Sequence, residues 1–267
     1  MSKTSAFSMY GYLDVSADTQ WVRITPVREQ VATPDEIPEM EVTLLHVESG
    51  NEVIMKDSLF NIVGGFNAVN VYSSEMDIEP EQTYIIKTER PDGATSQVTV
   101  SIPPDYPTPV LTTGGAYDDR GDLFLKGVER VADVTSIWEI DGLTYYVPNR
   151  SFVREYSPPG YDYFVGISSR HAMSWIFGED APPPYAVDIL QQRQVRRQIF
   201  IASGGPEWLE SIANFEDQIY GLPQEVSNVE NGVGYVIGIV SKTIPFKTCH
   251  GENGELTACP VEKPFWR

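Results

Sequence analysis

Between Pro223 and Phe246 the chain reads PQEVSNVENGVGYVIGIVSKTIPF, and its later half follows a period of two. On that period Val233, Tyr235, Ile237 and Ile239 take one face, and Gly232, Gly234, Val236, Gly238 and Val240 the other. Both faces are apolar, which predicts a strand covered on each side. Glycine at alternate positions strips Cβ from one face. Close approach of another backbone or a large aromatic is the preferred reading, and a ligand groove is the other.

Short alternating runs fill the rest of the chain. Before residue 104 they are FSMYGYLDV, WVRITPV, MEVTLLHVESG, NEVIMKD, QTYIIKTERPDG and SQVTVSIP. Glu48-Ser49-Gly50-Asn51 and Arg90-Pro91-Asp92-Gly93 punctuate them as turns. This spacing predicts an immunoglobulin-like β-sandwich over residues 1–104. The prolines of PPDYPTP cannot continue a ladder, so the boundary falls there. Residues 105–267 then read as a larger antiparallel β-domain, with strands in DLFLKGV, TSIWEI, LTYYVP, YDYFVGIS and Val187–Ile201. One packed α-helix is expected near 207–219. Pro206 suits its first turn, and Trp208, Leu209, Ile212, Phe215 and Ile219 form an apolar stripe.

Composition supports this mainly β reading. Twenty prolines and 21 glycines separate the short runs, and 41% of the 267 residues are hydrophobic. The formal charge of −19 repels phosphate backbones and anionic lipid, so nucleic acid and a bare membrane surface are poor partners. No run of about 18 apolar residues occurs, which excludes a transmembrane helix. MSKTSAFSMYGYL lacks a signal-peptide core, so an exported form is expected to be a mature chain with a replaced start.

Cys249 and Cys259 flank the turn signal Glu252-Asn253-Gly254-Glu255, which sets the thiols opposite each other across two short strands. A disulfide fits better than a zinc site, since His250 is the one further ligand nearby. A disulfide points to an oxidising compartment.

Catalytic signatures are missing. The sequence holds no GxSxG, GxGxxG or P-loop motif, and His46, His171 and His250 stand apart. No catalytic, cofactor-binding or metal-binding residue is assigned, and no cofactor is expected. Asp118, Asp119 and Asp122 read as an acidic surface turn whose spacing matches no EF-hand. Asn149-Arg150-Ser151 fits a glycosylation acceptor, a frequent accident. Arg193, Arg196 and Arg197 form a basic cluster that local carboxylates are expected to pair. Aromatics interleaved with proline loops give the richest hint of a site. Sheet packing accounts for most of them; Trp138, Tyr161, Trp175 and Tyr185 are the candidate contacts for a glycan, a peptide or a partner.

The passage WLESIANFEDQIYG followed by LPQEVSNVENGVGYVIGI resembles the end of domain-of-unknown-function family 4249. Its pattern is matched by Pro223, Val226, Ser227, Asn228, Val229, Gly232 and Gly234. GYLDVSADTQWVRIT and QTYIIKTERPDGATSQVTVSIPP are similar to that family's first domain. Val236 departs from its usual phenylalanine, and the lipobox cysteine is missing. The resemblance implies an exported Gram-negative lipoprotein at the outer membrane, often encoded beside a TonB-dependent receptor, with no established catalytic residues. The expected role is therefore non-enzymatic: a cell-envelope binding or accessory protein working with an outer-membrane transporter or surface complex. The alternatives are a secreted glycoside hydrolase drawing on Asp141, Glu155, Asp162, Glu179 or Asp180, or a glycan binder, and a structural subunit of a surface assembly.

Overall fold

A computed structural model describes residues 6–27, 39–62, 66–114, 120–149, 152–158, 160–178, 195–208 and 227–265. The chain is mainly β, with several antiparallel sheets in a sandwich-like arrangement. It divides into two units. The first comprises residues 1–105, 204–209 and 216–240, and the second 106–203, 210–215 and 241–267.

In the first unit two hairpins, β1 (Phe7–Asp14) with β2 (Gln20–Pro26) and β3 (Glu41–His46) with β4 (Asn51–Ile54), found separate sheets. β5 (Lys56–Ile62) and β6 (Phe66–Ser73) extend the first sheet, and β7 (Thr83–Glu89) and β8 (Thr95–Ser101) extend the second. The period of two decides what is inside: Phe7, Met9, Val22 and Ile24 from one sheet, and Val42, Leu44, Ile86, Val98 and Val100 from the other, are all buried. Where β8 lies under β1, the Ser96 hydroxyl accepts the Phe7 N–H at 3.2 Å and donates to the Asn231 carbonyl at 2.8 Å. The expected turns form. Gly50 and Gly93 take positive φ, and Arg90 N–H reaches Ala94 O at 3.0 Å.

The stretch from Gly232 to Val240 is a strand. It opens the long β16 (Gly232–Pro245), and its Val236, Ile237, Ile239 and Val240 are buried. Its pairing with β1 is parallel, from Phe7↔Gly232 to Asp14↔Ile239, whereas β2 pairs with β1 antiparallel on the other side. The glycines are there for close packing. A Cβ on Gly232 would lie 2.6 Å from Phe7 O, and one on Gly238 would lie 2.5 Å from Ser101 O. Gly234 has a φ of 126°, and a Cβ there would collide with the Met9 backbone. Protein, not a ligand groove, occupies the space that these glycines vacate.

The second unit holds β9 (Val110–Gly114), β10 (Arg120–Val128), β11 (Val131–Ile140), β12 (Leu143–Pro148), β13 (Phe152–Ser157) and β14 (Gly160–Ser168). It continues with α1 (Ser169–Phe177), β15 (Val195–Gly204), the end of β16, β17 (Cys249–His250) and β18 (Leu256–Thr257). One sheet has the order β13-β14-β10-β9; in another, β11 lies between β12 and β15. Asp141-Gly142 closes β11 on β12 with both φ values positive, the backbone of a two-residue hairpin turn. Ser168 caps α1, its hydroxyl accepting the His171 N–H at 3.4 Å. Ala172 and Met173 then join Trp138, Ile140 and Val147 in a buried cluster.

This helix, among the described residues, is not the one the apolar stripe predicts. The helix expected near 207–219 lies outside the described residues except at Glu207 and Trp208, which sit in a turn. The expected strand Val187–Ile201 is described only from Val195. Cys249 and Cys259 are joined by a disulfide across the predicted hairpin, with Cα atoms 5.3 Å apart and Cys249 opposite Thr257.

Candidate functional site

The four candidate contacts have different fates. Trp138 is fully buried and belongs to the core. Its indole N–H donates to the Ser136 hydroxyl at 3.1 Å, which donates in turn to the Val147 carbonyl at 3.3 Å. The Arg197 guanidinium lies 5.5 Å from its ring centre and 4.7 Å from that of Phe246. Aromatic faces thus flank Arg197, its neighbour Arg196 meets the expected carboxylate, Glu139 Oε2 at 3.3 Å, and Arg193 lies outside the described residues. Trp175 is the opposite case, 55% exposed on α1 with His171 beside it at 6.4 Å between ring centres. Tyr185 lies outside the described residues.

Tyr161 sits in an aromatic ladder at the edge of the β13-β14-β10-β9 sheet. Register places Tyr156 opposite Tyr161 and Arg154 opposite Tyr163, so these four side chains share a face. Tyr156 and Tyr161 meet edge to face at 5.5 Å, Tyr161 and Tyr163 at 6.2 Å, and Phe152 and Tyr163 at 5.7 Å. The Arg154 guanidinium stacks 4.8 Å over Tyr161. Exposure grades along the ladder, from buried Tyr163 to Tyr156 at 71%. β13 is the last strand of its sheet, so its outward backbone groups border this surface. Tyrosine hydroxyls, ring edges and a stacked cation together suit a polar or acidic partner.

On the other face of the same strands Glu155 lies directly opposite Asp162. Glu155 is exposed, and Asp162 Oδ1 accepts the Gly127 N–H at 3.1 Å. This is a surface pair with one member tied to backbone. Of the other available carboxylates, Asp141 occupies the β11–β12 turn, and Glu179 and Asp180 lie outside the described residues. The Asn149 amide is buried and donates to the Val134 and Val147 carbonyls, so it serves the β11–β12 corner and is closed to glycosylation. Asp122 lies on β10, with Asp118 and Asp119 outside the described residues. Among the described residues no three His, Cys, Asp or Glu side chains gather, and no helix is long and apolar enough to cross a membrane.

A second aromatic surface escapes the sequence reading. On the outer face of the first unit's β1-β2-β6 sheet, Tyr12 lies opposite Trp21 and Trp21 opposite Tyr72, one aromatic on each of three adjacent strands. One register step along, Tyr10 faces Arg23. The signal was available: Tyr10 and Tyr12 alternate with buried Met9 and Leu13, and Trp21 and Arg23 with buried Val22 and Ile24. Polar-side positions occupied by aromatics mark a face with another use.

Comparison with family models and with curated proteins finds no match. Among solved structures, a pullulanase from Anoxybacillus sp. LM18-11 aligns at a TM-score of 0.24 and 10% identity, covering 73% of this chain and 24% of that one. The chain thus spans about a quarter of the length of the pullulanase. Bovine butyrophilin aligns at a TM-score of 0.20 and 14% identity, covering 60% of this chain and 84% of that one. A marsupial T cell receptor aligns at 0.20 and 8% identity, covering 73% and 93%. At these TM-scores no similarity carries an argument about this chain.

Proposed function

We propose that the chain is a non-enzymatic, exported binding protein of the cell envelope, an outer-membrane-associated lipoprotein that works with a transporter or surface complex, a TonB-dependent receptor being one such partner. The observation that carries this reading is the ladder of exposed Tyr156 and Arg154 with half-buried Tyr161 at a sheet edge. Tyrosine and arginine on a rigid scaffold are the residues that dominate binding surfaces. The Cys249–Cys259 bridge supports an oxidising compartment. The sequence resemblance supports the envelope.

Affinity capture from cross-linked envelopes tests the reading. The expected result is a defined outer-membrane protein whose recovery falls at least tenfold with Tyr156→Ala or Arg154→Gln. Recovery that ignores both variants, or a chain that captures no membrane protein and turns over a glycan panel, overturns it. In the second case Glu155 and Asp162 become the carboxylates to substitute first.

A further inference from the structure

The outer face of β1, β2 and β6 carries an arrangement that the proposed function does not use. Trp21 is stacked on Tyr72, with ring centres 4.5 Å apart and planes 30° from parallel. Tyr12 stands on the other side of Trp21 in register. Neighbouring strands lie about 4.8 Å apart, so the three rings form a row of two to three monosaccharide lengths across the strands. Tyr10, Tyr12 and Trp21 are 43%, 49% and 41% exposed, large fractions for rings in a sheet.

A cation lies beside this row. Arg23 sits two residues from Trp21 on the same face of β2, about 7 Å along the strand. It is exposed, and among the described residues no carboxylate pairs with it. The nearest charges at the far end of the row, Lys56 and Glu75, neutralise each other at 3.1 Å. Asp14, two residues from Tyr12 on β1, is buried and its carboxylate accepts the Ser16 N–H and hydroxyl, so Arg23 is the exposed charge beside the row. At physiological ionic strength the Debye length is about 8 Å, so a ligand lying on this face senses Arg23 more strongly than charges farther away. An apolar row beside the exposed Arg23 guanidinium is complementary to a ligand with C–H faces at regular intervals and a carboxylate to one side. Carboxylated sugars have that chemistry.

We infer that this face binds a carboxylated polysaccharide, with sugar rings along Tyr12, Trp21 and Tyr72 and a carboxylate on Arg23. The site belongs to the first unit and the ladder on β13 and β14 to the second, and the inference does not depend on the reading given to that ladder. The test is calorimetric titration of the full chain with oligosaccharides of galacturonate, of mannuronate and guluronate, and of glucuronate, each against its methyl ester and a neutral glucose oligomer. At least one acidic oligomer is expected to bind in the micromolar to millimolar range. A charge-assisted contact is worth about 1.5–3 kcal/mol, so Arg23→Gln and methyl esterification should each weaken binding by about tenfold or more. The exposed Arg23→Gln variant should melt with the parent. Trp21→Ala should weaken binding of acidic and esterified forms alike, and Tyr12→Ala repeats the reading without touching the Trp21–Tyr72 stack. Failure of every acidic oligomer to bind the folded chain overturns the inference, as does binding that Arg23→Gln leaves unchanged. A poly-glutamate peptide that binds with the same Arg23 dependence, while the sugars do not, assigns the face to an acidic protein partner instead.

Discussion

Trp138 and Trp175 make the contrast between packing and display within one unit. Trp138 is sealed between Ile140, Val147, Met173 and the Arg197 guanidinium, whereas Trp175 leans into solvent from α1. Trp138→Ala should cost about 3–5 kcal/mol, and Trp175→Ala should fall within about 0.5 kcal/mol of the parent; urea titration of each variant measures the difference. Two exposed carboxylates carry a pH signature. The Arg90 side chain and Ala94 N–H hold Asp92 below the ordinary range, and Thr83 N–H, accepted at 3.0 Å, does the same for Glu48. A carboxyl depressed in the folded state contributes stability above its unfolded pKa, about 4, and loses it as pH falls through the folded value. Asp92→Asn and Glu48→Gln should therefore lower the melting temperature at pH 7 and leave it unchanged at the lowest pH. The curve between about pH 5 and pH 3 flattens accordingly, and thermal melts across that range check it.

Among the elements, β16 is the one whose sequence says most. Alternation gave both of its apolar faces, and its glycines pointed to close approach. What alternation could not give was the neighbour, because parallel or antiparallel pairing depends on residues far away in the chain, here Phe7 to Asp14. Gly238→Ala would drive a methyl to 2.5 Å from Ser101 O and should cost about 1–3 kcal/mol. Gly234→Ala adds backbone strain and should cost more, with calorimetric melts giving the order. The hairpin of β5 and β6 went unread although Gly64-Gly65 separates two apolar runs. The α1 helix went unread because SRHAMSWIF is short and follows a strand without a break. Trp138 was misplaced for a different reason: strand parity puts it on the side of Ile140, but which side is covered is decided by α1, which single-strand periodicity does not reveal.

Across the whole molecule the acidic excess is the dominant long-range term. Thirty-eight carboxylates against 19 basic side chains repel one another in the folded state. Raising ionic strength from about 0.01 M to about 0.15 M shortens the Debye length from about 30 Å to about 8 Å. The melting temperature at pH 7 should rise by a few degrees over that interval, since about 1 kcal/mol corresponds to 2–4 °C for a chain of this size. A falling melting temperature would mean that ion pairs such as Lys56–Glu75 and Arg196–Glu139 outweigh the repulsion. The division into two units is likewise a property of the whole chain: the linker prolines mark residue 105, but the first unit also claims 216–240.

That last fact bears on biosynthesis. β1 leaves the ribosome about 225 residues before the strand it pairs with in parallel. At 5–20 residues per second the wait is roughly 10–45 s. Throughout it one flank of the nascent β1, with its Tyr10 and Tyr12, stays open to other chains. A gene truncated after the proline linker would make that temporary state permanent, and the recombinant fragment should accumulate in inclusion bodies while the intact chain stays soluble.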